Sequence, residues 1–154
     1  MSYSDTELMA ANVNPATGLA TDYLNLFNEA IMLFEMGLDM PDMAEELMDW
    51  HRRGYVEHFE QSGFEQKDVV IAAYAQAPDE VRQAFDTACT EALDVFESAI
   101  AILLSSNVED PAARQDLEGR LNDMKARVVE MDSHIHGKAV RIENSLQNAV
   151  DALF

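Results

Sequence analysis

His134 and His136 each follow a carboxylate by four residues, Glu130 and Asp132 respectively. On a helix each such pair shares a face, and an imidazole beside a carboxylate can titrate near neutral pH or offer donors to a metal. These four side chains are the candidate metal ligands. Gly137 marks the same place as a weak point, since glycine costs a helix ~1 kcal/mol relative to alanine. A plainer reading stands beside this one: two solvated histidines flank an apolar Ile135, and Gly137 lets a neighbouring helix come close. A di-iron carboxylate bundle needs two Glu-x-x-His motifs, and this sequence contains none. Asp49 and His51 are too near each other to share a helix face. Gly-x-Ser-x-Gly is missing, and the six glycines do not cluster into a phosphate-cradling loop. Cys89, the one cysteine, is spaced with Leu93 and Phe96 as a core residue would be. The expectation is a protein without catalytic residues and without a cofactor.

A second kind of chemistry is recognition. Residues 49–64, Asp-Trp-His-Arg-Arg-Gly-Tyr-Val-Glu-His-Phe-Glu-Gln-Ser-Gly-Phe, hold the single tryptophan and two of the four histidines. Trp, Tyr and Arg are the types most often found as binding anchors, which makes Trp50, His51, Arg52, Arg53, Tyr55, His58 and Phe59 candidates for partner contact. The same aromatics could instead close the end of a helical bundle. Just before them, Met32, Met36, Met40, Met43 and Met48 fall within 17 residues. Methionine fills irregular gaps in cores and also makes adaptable binding surfaces. Met36, Met40 and Met43 join the candidates because Asp39, Asp42, Glu45, Glu46 and Asp49 would edge such a face with acid. That combination suits a basic amphipathic helix as partner. With Trp50, Tyr55, His58-Phe59 and Phe64 at these positions, residues 15–75 resemble small uncharacterised all-helical bacterial proteins. The resemblance implies helices and brings no activity with it.

The elements that must hold these residues are helical. A polar, unpatterned stretch at residues 1–13 predicts a loose arm, leaving 14–154 as one helical domain. Asn14-Pro15 is a cap-and-proline start, and Ala20, Tyr23, Leu24, Phe27, Ala30, Ile31 and Phe34 recur at steps of three and four. They predict a helix over 15–36 stopped by Gly37. Pro41 opens another, expected to reach Arg53. Further helical stretches follow at about 55–61 and 65–76, and no segment alternates with period two, so no sheet is expected. From 78 to about 105 two adjacent apolar series run side by side, the mark of a central helix. The first is Val81, Phe85, Ala88, Ala92, Val95, Ala99 and Ile102; the second is Cys89, Leu93, Phe96, Ile100 and Leu103. From 111 to 153 a heptad run of Leu117, Leu121, Met124, Val128, Met131 and Ile135 continues, after a stutter, through Ala139, Ile142, Leu146, Ala149 and Leu153. The expected fold is all-α: an elongated bundle on a long antiparallel hairpin of 78–105 and 111–153, with shorter helices packed along it. A seam of that length also points to a homodimer.

Composition narrows the function classes. Among 154 residues, 29 are acidic and 10 are Lys or Arg, for a net charge of −19. A surface of that sign repels nucleic-acid backbones and anionic membranes. Residues 1–109 carry 21 acids and four bases, whereas 110–154 carry eight and six. The longest apolar run, Ala99 to Leu104, is far shorter than the ~20 residues that span a bilayer. With no basic start or apolar leader, the expected location is the cytoplasm. These features predict a non-enzymatic adaptor, regulatory or chaperone-like protein that binds a protein partner of matching chemistry, a basic or amphipathic helix. Two alternatives remain open at this level. One is a metal- or ligand-binding bundle using the histidines and carboxylates. The other is an acidic export-chaperone-like protein or nucleic-acid mimic, and adaptation to salt could also produce the acid.

Overall fold

The computed structural model describes residues 3–138. Seven α-helices are present among them: α1 (Asp5–Ala10), α2 (Asn25–Asp39), α3 (Pro41–Ala44), α4 (Tyr55–Gln61), α5 (Lys67–Gln76), α6 (Asp79–Ser105) and α7 (Pro111–Ile135). The fold is all-α, as the periodicity predicts. α6 and α7 pack on each other, and α2 lies against both. α7 begins as its sequence requires, with the Asp110 side chain accepting from the Ala113 N–H and proline at the first position. Both apolar series of α6 face the core. Cys89, Leu93, Phe96, Ile100 and Leu103 are buried, and Val81, Val95 and Ile102 pack partly buried beside them.

The N-terminal third departs from the expectation. Residues 4–13, expected as a loose arm, carry α1, whose capping box pairs Ser4 and Glu7 through two 3.2 Å bonds. Ala11 and Val13 enter the core. Asn14-Pro15 starts a turn instead of a helix. The Asn14 side chain accepts from the Ala16 N–H at 2.9 Å, and Val13–Asn14 (β1) pairs antiparallel with Leu19–Ala20 (β2). Asparagine caps helices and turns by the same hydrogen bond, so its position alone does not choose between them. Two-residue strands are also too short to show an alternation. A 3-10 turn, Thr21–Leu24, then leads into α2.

Nor does Gly37 stop its helix. α2 runs on to Asp39, and Gly37 is where α3 crosses closely, since a Cβ there would lie 2.8 Å from the Ala44 Cβ. The Arg114 guanidinium takes up the end of α2, donating to the Leu38 carbonyl at 2.8 Å and the Asp39 carboxylate at 2.7 Å. The helix expected from Pro41 to Arg53 is shorter as well. It tightens into a 3-10 turn, Glu45–Asp49, and leaves helical geometry at Trp50.

The largest correction concerns the long C-terminal helix. α7 ends at Ile135, where a stutter and a continuing helix were expected. Gly137 adopts φ +70°, the Gly137 N–H bonds the His134 carbonyl, and the Lys138 N–H bonds the Ser133 carbonyl at 2.8 Å. That pair of bonds is a Schellman stop, which needs a residue free to take the left-handed conformation. The hydroxyl of Thr17, from the turn between β1 and β2, donates to the Ile135 carbonyl at 2.6 Å and is buried there. So the unexpected hairpin has a use: it satisfies a carbonyl that the helix end would leave unpaired. The seam positions Leu117, Met124, Val128, Met131 and Ile135 are buried within this one chain. The rest of the seam, from Ala139 to Leu153, lies outside the described residues.

Candidate functional site

The recognition segment around Trp50 folds inward. Tyr55 and Phe59 lie on one face of α4 and are buried. Tyr23 sits at the centre, edge-on to Phe27 at 5.2 Å, Tyr55 at 5.4 Å, His58 at 5.5 Å and Phe85 at 6.4 Å between ring centroids. Such edge-to-face contacts add to the gain from burial. Each polar end finds a partner: the Tyr23 hydroxyl donates to the Arg53 carbonyl at 2.7 Å, and Tyr55 accepts from the Ala20 N–H at 2.9 Å. Tyr74 donates to Asp86 at 2.7 Å. Trp50, half-buried, stacks on Phe96 at 6.1 Å and donates its indole N–H to the Leu26 carbonyl at 2.9 Å. Trp50 therefore ties the middle of the chain to α2 and α6, and Tyr55 ties it to α6 and β2, with Phe59 packed against Tyr55.

Burial sets the protonation states here. It pushes the Tyr23, Tyr55 and Tyr74 hydroxyls well above the ordinary tyrosine range, with Asp86 adding to the effect at Tyr74. The Cys89 thiol is raised in the same way, and a thiol kept protonated is not a nucleophile. His58 moves down, first because it is partly buried and then because Arg53 is close; the backbone carbonyl of Asp22 opposes the shift. Its Nδ1 faces the Arg53 Nε–H at 3.4 Å. His51 and Arg52 remain on the surface, and Arg52 is held by Asp94 at 2.8 Å and Glu97 at 3.5 Å.

The candidate metal ligands near the end of α7 do not converge. Glu130 is engaged by Arg127 at 3.3 Å, and His136 Nδ1 lies 2.9 Å from the Asp132 carbonyl and 3.3 Å from its carboxylate. His134 instead lines a shallow recess of about 280 Å³ with Thr17, Glu80 and Val81. Among the described residues, no three His, Cys, Asp or Glu side chains form a group that could hold a metal ion.

The methionines behave differently from the aromatics. Met36 and Met43 are half-buried, but Met32, Met40 and Met48 stand 53%, 49% and 66% exposed. Two of these border grooves. Met32 edges a groove of about 470 Å³ between α2 and α7, lined also by Leu24, Asn28, Ile31 and Val128, where Lys125 is paired with Glu35. Met48 edges one of about 410 Å³ between the 3-10 turn Glu45–Asp49 and α6, with Leu47, Trp50, Ile100, Ala101 and Leu104. Ile100, Ala101 and Leu104 were missed by the reading of residue types. Their signal was present in the unbroken apolar run Ala99 to Leu104, because six consecutive helical residues cannot all face one core. Set against protein-family models, curated proteins and solved structures, the chain matches none.

Proposed function

We propose that this chain is a non-enzymatic, acidic helical protein that acts by binding another protein, in an adaptor, regulatory or chaperone-like role. The observation that carries the reading is the exposure of Met32, Met40 and Met48 on a surface where carboxylates outnumber cations. Met32 and Met48 each edge a groove, where an exposed apolar side chain can meet a partner, and thioethers conform to varied partners. The acid excludes nucleic-acid backbones and favours a basic partner, so an export-chaperone-like role or nucleic-acid mimicry falls within the same reading. Homodimerisation is part of the proposal too. Because the seam from Leu117 to Ile135 is spent inside one chain, a second copy would have to be joined through other residues.

The rival is ligand binding in the α2/α7 groove, whose size and apolar floor rimmed by Asn28, Glu35 and Asp132 suit a small molecule. Affinity purification from the native host separates them. The immobilised chain should retain a defined protein that elutes with salt, and replacing Met32, Met40 and Met48 together by Glu should abolish retention. If nothing is retained, or if the triple substitution changes nothing, the protein-binding reading fails. Sedimentation at micromolar concentration as a single 17.2 kDa species would remove the homodimer.

A further inference from the structure

We infer that the groove between the 3-10 turn Glu45–Asp49 and the last two turns of α6 is the docking site for a basic amphipathic helix of the partner. This rests on the protein-binding reading and assigns it a place and a chemistry. On α6, Glu97, Ile100, Ala101 and Leu104 stand at i, i+3, i+4 and i+7, one stripe about 10 Å long at 1.5 Å per residue. Leu47 and Ile100 form a buried floor, while Met48 and Leu104 rise as exposed walls, Leu104 at 40%. Two turns of a partner helix present apolar side chains over the same length, so floor and walls match the anchor spacing of helix-in-groove recognition.

Charge selects the occupant. Glu45, Glu46 and Asp49 are exposed on the turn that supplies Leu47 and Met48, and Asp94 and Glu97 are exposed on α6. Among the described residues Arg52 is the one arginine or lysine lining the groove, and Asp94 and Glu97 already hold it. A second copy of this chain would bring the exposed carboxylates of these two elements against their own kind, and nucleic acid or an anionic lipid surface would meet the same repulsion. A helix with leucine-like side chains on one face and Lys or Arg flanking them meets floor and rim at once.

Trp50 lines the groove and is the only tryptophan, so its emission reports occupancy directly. The probe is a tryptophan-free helical peptide of Leu and Lys, with a Leu and Glu peptide of equal length as control. The basic peptide should shift Trp50 emission saturably, with affinity falling as salt rises, and the acidic one should not bind. Met48→Glu and Leu104→Glu should each weaken binding about tenfold, the scale of a hot-spot loss, with helicity and melting unchanged because both residues are exposed. Met32→Glu should leave affinity unaltered. Arg52→Ala should tighten binding roughly two- to fivefold by freeing Asp94 and Glu97, a change of sign that an acidic partner would reverse. Affinity indifferent to Met48→Glu and Leu104→Glu but lost in Met32→Glu overturns the groove assignment and leaves the protein-binding reading standing. No binding of the basic peptide overturns the inference outright, whereas the native-host capture decides separately whether any protein is bound.

Discussion

Residues 40–48 and 50–59 are neighbours in sequence, both rich in the residue types that bind partners, and they fold in opposite senses. Met40 and Met48 are left in water, while Tyr55 and Phe59 are enclosed and Trp50 is half covered. For Trp50 and Tyr55 the difference lies in partners for their polar ends, whereas Phe59 is buried among neighbouring rings. The Trp50 indole finds the Leu26 carbonyl and the Tyr55 hydroxyl finds the Ala20 N–H, so each ring is fixed at both ends. A thioether makes only weak polar contacts, so a methionine on a short, tight turn goes where the turn points it. Aromatic content thus marks a junction of the fold here, and methionine content marks its surface.

The largest test of that contrast is Phe59→Ala. Phe59 is fully buried and touches Tyr55, His58 and Phe64 by ring contacts. Its loss should cost ~3–5 kcal/mol in denaturant unfolding, the usual range for Phe truncated in a core. A loss below about 1 kcal/mol would mean that the segment is a surface element after all. Next comes Gly37→Val. A side chain at 37 must displace Ala44 and the short α3, which should cost ~1–3 kcal/mol by overpacking. Because α3 leads into the turn that carries Met48, the substitution should also change Trp50 emission. Unfolding unchanged by Gly37→Val would show that α3 is not pressed against α2.

pH sharpens the contrast at His58. Its pKa in the folded chain lies below the ordinary 6.5, so the unfolded chain binds the proton more readily. The contribution of His58 is intact above pH 6.5 and is lost as the pH falls from there through the folded value. Carboxylates shift with acid as well, so the quantity to measure is the difference between the wild type and His58→Gln. The wild type should lose stability more steeply than the variant below about pH 6.5. Parallel curves for the two proteins would show that His58 titrates as if free.

The fold was legible where one pattern ran long. Two apolar series over 27 residues define α6, and Asp110-Pro111 fixes the start of α7. It was illegible where a residue type serves two structures. Asn14 caps turns and helices alike, Gly37 stops a helix or admits a neighbour, and Gly137 bends a helix or ends it. In each case the choice belonged to the residues that meet it in the fold: Leu19 and Ala20 beside β1, Ala44 over Gly37, Thr17 on the Ile135 carbonyl. The candidate site was half legible for the same reason. Met48 stood out by composition, but Ile100 and Leu104 join it only once the turn lies against α6.

The smallest expected effect is the most diagnostic. Met32→Gln, Met40→Gln and Met48→Gln each remove an apolar tip that is already about half or more in water, so little transfer free energy is lost. Each should change stability by less than about 0.5 kcal/mol, the usual range for surface positions. Phe59→Ala and Met48→Gln would then differ severalfold in cost, although both replace a large apolar residue in one stretch of chain. If instead a methionine substitution costs more than ~1 kcal/mol, that side chain is packed in solution and the surface it was taken to form does not exist. A neutral result has the opposite force: it leaves these side chains as surface that the fold does not use, which a contact role requires.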